Sequence, residues 1–397
     1  MRTRAVMTIG LLLAIVVLSS CDQGQQPGGG PPGGPPPDTP VEGLRRTTVA
    51  VAEQHTVVVT SDGLVEVAGK RNSGNLGDNV PVGSGERNEP FTLPDLAGIA
   101  AVAAGNLHSL ALTETGELWA WGSNTSYQLG LLTDLVNQYK PVAVPFPRPL
   151  RAVAAGSNVS AAIDTDGGLW LWGNDPTREL PPPGPYPMGL APATVAGLPA
   201  IGAVSVGRDV ILLAGEDGSL WEIGKRPREG VARPVQLELP AEATEAKVID
   251  VAAGHGLMTF HGLAALDDGR VLGWGSSSNG VLGEDITETV SRPTLLSGFE
   301  DHLIASVHAG PTVSAFVTVA GELLLIGRGG DGLLGRGSTT SSGVPKTVLE
   351  GVDSFALGVG PFAVADVGSQ FYAWGAQHPA LGLGELTDRV TTPTKRD

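Results

Sequence analysis

The stretch from Val102 to Gly130, which reads VAAGNLHSLALTETGELWAWGSNTSYQLG, holds two apolar runs on either side of a tight turn. The runs from His108 to Leu112 and from Leu118 to Trp121 each have the length of a single strand. The turn between them contains Gly116, and glycine supplies the positive φ that tight hairpin turns require. The stretch therefore predicts a β-hairpin.

The glycine that ends this hairpin recurs along the chain at intervals of about fifty residues. Its copies are Gly69, Gly122, Gly173, Gly224, Gly275, Gly327 and Gly375. A turn glycine precedes each of them, and it follows an aspartate in Asp62-Gly63, Asp166-Gly167, Asp217-Gly218 and Asp268-Gly269. Four strands of about five residues with their turns fill one such period. The pattern predicts an all-β, seven-bladed propeller of four-stranded blades.

The motifs V-A-A-G-x-x-H-S-L-A-L, x-G-x-L-W-A-W-G and Q-L-G of residues 102–130 resemble the regulator of chromosome condensation (RCC1) repeat. The resemblance covers about residues 41–397 in seven copies, and it is weakest in the third and fourth, which lack the late Leu-Gly. It implies a seven-bladed propeller whose faces bind other molecules. Eukaryotic members bind chromatin and promote nucleotide exchange on a small GTPase.

The two ends of the repeat region suggest how the ring closes. The last repeat ends soon after Thr392-Pro393, whereas Thr39-Pro-Val-Glu-Gly-Leu44 precedes the first repeat and reads like a final strand. We therefore expect this N-terminal strand to complete the last blade and to close the ring without a covalent link.

The N-terminal residues have the features of an export signal. Residues 1–20 combine Arg2 and Arg4 with an apolar run, and Leu18-Ser19-Ser20-Cys21 matches a bacterial lipobox. We expect a signal peptide over residues 1–20, a lipidated Cys21, a Gly/Pro-rich disordered tether over residues 21–40, and a propeller over residues 41–397. An ordinary secretory signal with an incidental cysteine is the alternative. The expected location is a membrane surface on the periplasmic side or the cell surface of a bacterium.

Charge narrows the set of partners. The chain has 25 Lys and Arg residues against 41 Asp and Glu residues, which gives a net charge of −16. Nucleic acids require a basic footprint, so we expect no nucleic-acid binding. Export would also separate the chain from chromatin and from cytoplasmic GTPases. The expected partner is another envelope or secreted protein, besides the membrane that Cys21 would reach.

Several residues are of types found in metal, ligand or dinucleotide sites, but their positions in the repeat indicate a structural role. His55, His108 and His261 occupy one equivalent position, which holds valine in the third, fourth and sixth repeats and Pro361 in the seventh by sequence counting. We expect buried imidazoles that form hydrogen bonds between strands, not a metal site. The tryptophans beside the recurring glycines are expected to pack between blades, with a ligand-stacking platform as the alternative. Gly327-Arg-Gly-Gly-Asp-Gly332 matches a dinucleotide motif, but no helix is expected after it.

The function hypothesis rests on departures from the repeat. We find no catalytic motif, so we expect no enzyme activity, no cofactor and no metal. Loops that depart from the repeat carry the candidate partner-binding residues Tyr139, Tyr186, Met188 and Phe260. We expect a membrane-anchored protein-binding scaffold, one form of which inhibits or regulates an envelope enzyme. The alternatives are a carbohydrate or cell-wall binding module and a propeller hydrolase or lyase.

Overall fold

Seven four-stranded antiparallel sheets make up the part of the chain that the structure describes. This computed structural model describes residues 39–81, 85–131, 136–173, 192–224, 234–254, 256 and 260–396. The expected signal peptide, Cys21, most of the tether, Tyr186 and Met188 lie outside these residues. Each sheet uses four strands that are consecutive in the sequence, as expected for the blades of a propeller.

The strands of blades 1 and 2 are β1 (Val49–Val51), β2 (His55–Val59), β3 (Val65–Lys70), β4 (Glu86–Leu93), β5 (Ile99–Ala104), β6 (His108–Thr113), β7 (Leu118–Gly122) and β8 (Gln138–Val144). Those of blades 3 and 4 are β9 (Leu150–Ala155), β10 (Val159–Asp164), β11 (Leu169–Gly173), β12 (Ala193–Thr194), β13 (Ile201–Val206), β14 (Val210–Gly215), β15 (Leu220–Gly224) and β16 (Val235–Leu237).

Blades 5 and 6 contain β17 (Val248–Ala253), β18 (His261–Leu266), β19 (Val271–Gly275), β20 (Val290–Leu295), β21 (Ile304–Ala309), β22 (Val313–Thr318), β23 (Leu323–Gly327) and β24 (Ser342–Leu349). Blade 7 contains β25 (Val352–Leu357), β26 (Phe362–Val367), β27 (Gln370–Gly375) and β28 (Val390–Lys395). Short 3-10 helices lie at Ala241–Ala243, Ser278–Gly280, Gly330–Gly332 and Pro379–Leu381.

The recurring glycine is required by close backbone contact and by its own conformation. Gly122 has a φ of +101°, and a Cβ atom there would lie 2.4 Å from the Leu107 carbonyl oxygen. Only glycine satisfies both conditions without strain. Because Gly122 pairs with His108 at the end of the hairpin, the glycine keeps the end of each third strand against the preceding strand.

The apolar core lies between the blades. Each of the seven buried clusters combines residues of two neighbouring blades, including the cluster between the last blade and the first. That last cluster joins Val49 and Val58 of blade 1 to Phe362 and Phe371 of blade 7. Burial of apolar surface between neighbours therefore stabilises the whole ring.

The expected closing strand is wrong. Blade 7 completes itself with β28, in which Lys395 pairs with Tyr372 of β27. Thr392-Pro393 lies inside this fourth strand. The proline near the end of the repeat has the same place in blade 2, where Pro141 lies inside β8. An outer strand has a free edge, so the missing N–H of proline breaks no ladder hydrogen bond there.

The N-terminal segment lies on blades 2 and 3 instead. We call residues 39–47 the strap. Val41 N donates to Glu114 O at 2.8 Å, and Arg45 N donates to Arg151 O at 2.8 Å. Thr47 forms an isolated parallel bridge with Ala101. The strap thus crosses the ends of the blades and adds no strand to blade 7.

Candidate partner-binding faces and central channel

Three histidines hold neighbouring blades together. His55, His108 and His261 place Nε2 at 2.8, 2.9 and 3.0 Å from the hydroxyls of Ser109, Ser160 and Ser314, each in the next blade. Each serine hydroxyl donates to a loop carbonyl of the preceding blade, at Asn75, Gln128 and Val281. The expectation of a structural role is confirmed, with the bond running between blades.

Burial keeps two of these imidazoles neutral. It lowers the pKa of His55 and of His108 from 6.5 to about 3, and nearby His108 and His378 lower that of His55 further. The motif glycine makes room for the ring, since a Cβ atom on Gly105 would lie 2.1 Å from Cε1 of His108. In blade 7 the equivalent position is Phe362, which pairs with Gly375, and not Pro361, because the hairpin of that blade is one residue shorter.

The tryptophans are part of the packing. Trp121, Trp172 and Trp374 are buried, and each Nε1 donates at 2.9 Å to a loop carbonyl of the preceding blade. Trp119 and Trp170 are half-buried against neighbouring clusters. Packing between blades is therefore confirmed, and no tryptophan of the described chain is exposed as a stacking platform. The glycine motif at residues 327–332 leads from β23 into a three-residue 3-10 helix, so its dinucleotide interpretation fails.

The ring has two distinct faces. The strap face is the edge where the inner strands begin, and it carries the turns between second and third strands, the connections between blades and the strap. The loop face is the opposite edge, with the long segments between third and fourth strands. Inner strands β1, β5, β9, β13, β17, β21 and β25 line a central channel of about 430 Å³ between the faces.

The two predicted binding residues that the structure describes, Tyr139 and Phe260, belong to the loop face but do not come together. Tyr139 is the second residue of β8 and is half-buried against blade 1, where Asn79 N donates to its carbonyl oxygen at 2.8 Å. Phe260 is half-buried and packs on the cluster between blades 4 and 5. Tyr186 and Met188 lie outside the described residues. Tyr139 and Phe260 thus sit in separate blades, each partly covered by its surroundings.

The strap face is acidic. Its arginines are already paired: Arg46 with Glu114, Arg148 with Asp166, Arg151 with Glu216 and Arg270 with Asp268. Exposed carboxylates without an ion-pair partner among the described residues include Asp62, Asp217, Asp267, Glu300, Asp301 and Glu350. These carboxylates outnumber the exposed Lys247, whose charge acts on Asp217, so the net charge of this face is negative and favours basic partners.

Two exposed aliphatic side chains lie within this acidic surface. Leu303 is 57% exposed and Val319 is 72% exposed, and Val319 N donates to Leu303 O at 2.8 Å. Glu300 and Asp301 precede Leu303 in the same connection, and Glu322 follows Val319 in the next turn. Apolar groups inside a charged rim are typical of protein interfaces.

One ion pair crosses the mouth of the channel on the strap face. Arg45 Nη2 donates to Asp250 Oδ1 at 3.1 Å, and Asp250 Oδ2 accepts from Val307 N of blade 6 at 3.1 Å. Sequence reasoning missed this pair, whose members lie 205 positions apart. A signal existed, because Asp250 stands directly before a V-A-A-G motif where the second and third repeats have alanine.

A histidine lines the channel beside that pair. His308 lies on β21, its ring packs edge-on against Phe355 at 5.3 Å, and its Nε2 is 3.4 Å from Ser306 Oγ. Burial lowers the pKa of His308, Asp250 opposes that shift and Arg45 adds to it.

Neither a metal centre nor a membrane span emerges from these residues. In the ranges given above, no three His, Cys, Asp or Glu side chains converge as metal ligands. The helices of the same ranges are all too short or too polar to cross a membrane.

Comparisons with known proteins agree with the repeat. A family model described as the regulator of chromosome condensation (RCC1) repeat matches residues 115–163 and 268–317, and a second model of that repeat matches residues 99–128. The mitochondrial RCC1 domain-containing protein RUG3 of Arabidopsis thaliana is 28% identical over 298 residues, which cover 70% of this chain and 64% of that protein. The regulator of chromosome condensation of Mus musculus is 25% identical over 378 residues, which cover 88% and 89%.

Other relatives are much longer. The human E3 ubiquitin-protein ligase HERC2 is 28% identical over 67% of this chain, but the match spans only 6% of HERC2. The chain thus spans less than two thirds of RUG3 and a small part of HERC2.

Solved structures show the same fold. Prp20p of Saccharomyces cerevisiae superposes with a TM-score of 0.72 at 22% identity, over 85% of this chain and 87% of that one. Human WBSCR16 gives a TM-score of 0.70 at 21% identity, over 84% and 94%. The chain is therefore a seven-bladed β-propeller, and its residues 99–163 and 268–317 match the repeat of the regulator of chromosome condensation.

Proposed function

We propose that the chain is an exported, membrane-anchored propeller that binds another protein through its strap face. The observation that carries the proposal is the exposed pair of Leu303 and Val319 beside Glu300 and Asp301, two exposed carboxylates without an ion-pair partner among the described residues. A protein interface needs an apolar centre that loses water on binding and a polar rim that directs the partner. This surface has both, on a scaffold with little freedom to deform.

Relatives support a protein partner. A solved structure contains Prp20 of yeast bound to Kap60, and Prp20p has been studied for its binding to Gsp1p and histones. Those partners belong to that protein. For this chain the support is narrower: propellers of this family present rigid faces to other macromolecules, and the negative surface favours a basic partner over a nucleic acid.

The membrane anchor is part of the proposal. Residues 18–21 resemble a lipobox, and Cys21 is the one cysteine of the sequence. Labelling cells with an alkyne fatty acid tests it: the chain should take up the label, and Cys21→Ser should abolish uptake. Uptake that persists in Cys21→Ser would contradict lipidation at this residue.

A capture experiment tests the binding face. The full chain, solubilised in detergent from its membrane, is immobilised and exposed to envelope extract, and bound proteins are identified by mass spectrometry. The double variant Leu303→Ser/Val319→Ser should lose a stoichiometric partner, because two anchors become polar. Val344→Ser is the matched control, since Val344 is 50% exposed on the outer strand of the same blade.

The loop face is the competing surface. Tyr139→Ala/Phe260→Ala tests the prediction made from the sequence for that face. Loss of the partner in this variant, with capture unchanged in Leu303→Ser/Val319→Ser, would move the binding surface to the loop face. Capture that none of these substitutions affects would overturn the proposed site.

A further inference from the structure

In blades 2 to 7, one inner strand has a carboxylate at a position where the other inner strands have a small side chain. The position that pairs with the second strand just after the first bulge holds Ala101, Ala152, Ala203, Asp250, Ser306 and Ser354 in blades 2 to 7. Alanine and serine suffice for the fold at this position, so Asp250 is not required by the repeat. A departure of this kind on a rigid scaffold points to a binding role.

The carboxylate of Asp250 is held in a fixed orientation. Val307 N of the next blade donates to Oδ2, and the side chain is only 14% exposed. Oδ1 is left to face the channel mouth, where it receives Arg45 Nη2. A partly buried, oriented carboxylate is a good acceptor for a guanidinium group, because charge-assisted hydrogen bonds gain strength away from bulk water.

The guanidinium group that donates to Asp250 Oδ1 is that of Arg45, which belongs to the strap and not to a blade. Arg45 is 40% exposed, so its side chain remains open to water on one side. The strap is attached through its own backbone bonds to blades 2 and 3 and through Leu44, which packs on the cluster between those blades. Arg45 is therefore an internal ligand whose removal leaves the other attachments of the strap in place.

The surroundings suit a basic polypeptide. The strap face carries an excess of unpaired carboxylates, and the channel of about 430 Å³ lies directly below Asp250. A long, cationic side chain can enter this space while its neighbours in sequence meet the acidic surface.

We propose that Asp250 at the channel mouth is a receptor for an arginine side chain of a basic partner protein, and that Arg45 occupies this receptor in the free chain. The proposal rests on the protein-binding function stated above. Arg45 competes as a tethered ligand, so it lowers the apparent affinity for an external arginine in proportion to its own occupancy. Binding of the partner displaces the Arg45 side chain from Asp250.

The test uses a fluorescein-labelled hexa-arginine peptide and the full chain in detergent, with binding followed by fluorescence anisotropy at fixed salt. Arg45→Ala should lower the Kd for hexa-arginine about tenfold, because the internal competitor is gone. Arg46→Ala is the matched control: Arg46 is the next residue of the strap and pairs with exposed Glu114, so its removal changes the Kd less than twofold. Hexa-lysine should gain less than hexa-arginine, since an ammonium group is more strongly hydrated than a guanidinium group and loses more water on entering this partly buried site.

Substitution of the acceptor completes the test. In the Arg45→Ala background, Asp250→Asn should reverse the gain in affinity. Asp250→Ser provides a second variant that blades 6 and 7 already tolerate at this position, so a folding defect in one variant does not decide the result. Equal affinities of Arg45→Ala and Arg46→Ala, or an undiminished gain after both Asp250 substitutions, would overturn the proposal.

The two proposals can fail separately. If hexa-arginine binding does not depend on Arg45 and Asp250 while capture still depends on Leu303 and Val319, the arginine receptor is refuted and the protein-binding face stands. If the peptide responds as expected but capture does not depend on the strap face, the proposed protein-binding surface fails and the arginine site remains.

Discussion

His108 and Ser160 meet across the interface between blades 2 and 3, where His108 Nε2 lies 2.9 Å from Ser160 Oγ. The serine hydroxyl gives its own proton to Gln128 O at 2.7 Å, so the imidazole must donate through Nε2. Trp172 Nε1 donates to the same carbonyl at 2.9 Å. These four groups from two blades thus fix how the two blades align. The same arrangement recurs at His55 and at His261, except that no tryptophan takes part at His261.

Breaking this arrangement should destabilise the ring. His108→Val leaves the Ser160 hydroxyl with one partner fewer and is expected to cost about 2 kcal/mol in the free energy of unfolding, measured by urea denaturation. The double variant His108→Val/Ser160→Ile reproduces the apolar pair Val159 and Ile211, which the interface between blades 3 and 4 already uses. Its cost should be smaller than the sum of the two single costs. Additive costs would show that the two side chains are not coupled.

Acid should destabilise the protein through the same histidines. The folded pKa values of His55 and His108 are about 3, against 6.5 for a free imidazole, so the unfolded chain binds more protons as the pH falls below 6.5. The stability that the neutral rings contribute is complete above pH 6.5 and falls by about 1.4 kcal/mol per pH unit for each ring down to pH 3. Urea denaturation between pH 7.5 and pH 5 checks this, and His108→Val should show a shallower pH dependence than the unsubstituted chain. An identical slope in both would contradict a buried neutral His108.

The recurring glycine offers a sharper test of the repeat. Gly122→Ala places a methyl group 2.4 Å from the Leu107 carbonyl oxygen at a φ of +101°, so backbone has to move, and we expect a loss of more than about 3 kcal/mol. Gly98→Ala is the control, because Gly98 also has a positive φ of +67° but has nothing within 4 Å of the added atom. It should cost only about 1 kcal/mol. Thermal melting of the two variants should separate them, and equal melting temperatures would contradict the close contact.

The sequence was most informative where one local cause repeats. The glycine at the hairpin end, the Asp-Gly turns and the buried second strands are each dictated within a single repeat, so seven copies predicted the blades. The expected closure is wrong because an outer strand tolerates proline at its free edge, so Thr392-Pro393 does not mark the end of the last blade.

The site was harder to predict because it depends on distant partners. Arg45 belongs to the strap, which precedes blade 1, but it contacts a carboxylate of blade 5, and no spacing in the sequence predicts that contact. Asp250 could have been noticed as the one charged residue among alanines and serines, but its role needed the strap. Tyr139 and Phe260 stay a prediction for the loop face.

Deletion of the strap and deletion of the last strand should accelerate amide hydrogen exchange in different blades. Deleting residues 39–46 exposes the surface that Val41 and Leu44 cover and should cost about 3 kcal/mol, with faster amide hydrogen exchange confined to blades 2 and 3. Ending the chain at Asp388 removes β28 and uncovers the outer edge of β27, so exchange should accelerate in blade 7 and at its interface with blade 1. Faster exchange in blade 7 after strap deletion would show instead that the strap takes part in closing the ring.

The pKa of His308, which lines the channel, responds to the charges of both Arg45 and Asp250. Burial, and to a lesser degree the charge of Arg45, lowers the pKa of His308, whereas the carboxylate of Asp250 raises it. Arg45→Ala removes one positive charge and leaves Asp250 unpaired beside the ring, so the pKa of His308 should rise. Asp250→Asn leaves Arg45 without its counter-charge, so the pKa should fall.

Ser306 and Phe355, which also contact the ring, are uncharged and unchanged in both variants. Titration of the imidazole ¹⁵N resonances by NMR, with His308→Gln used for assignment, measures both shifts. Shifts of the same sign in the two variants would contradict the arrangement, because opposite charges at the channel mouth must act on the proton of His308 in opposite directions.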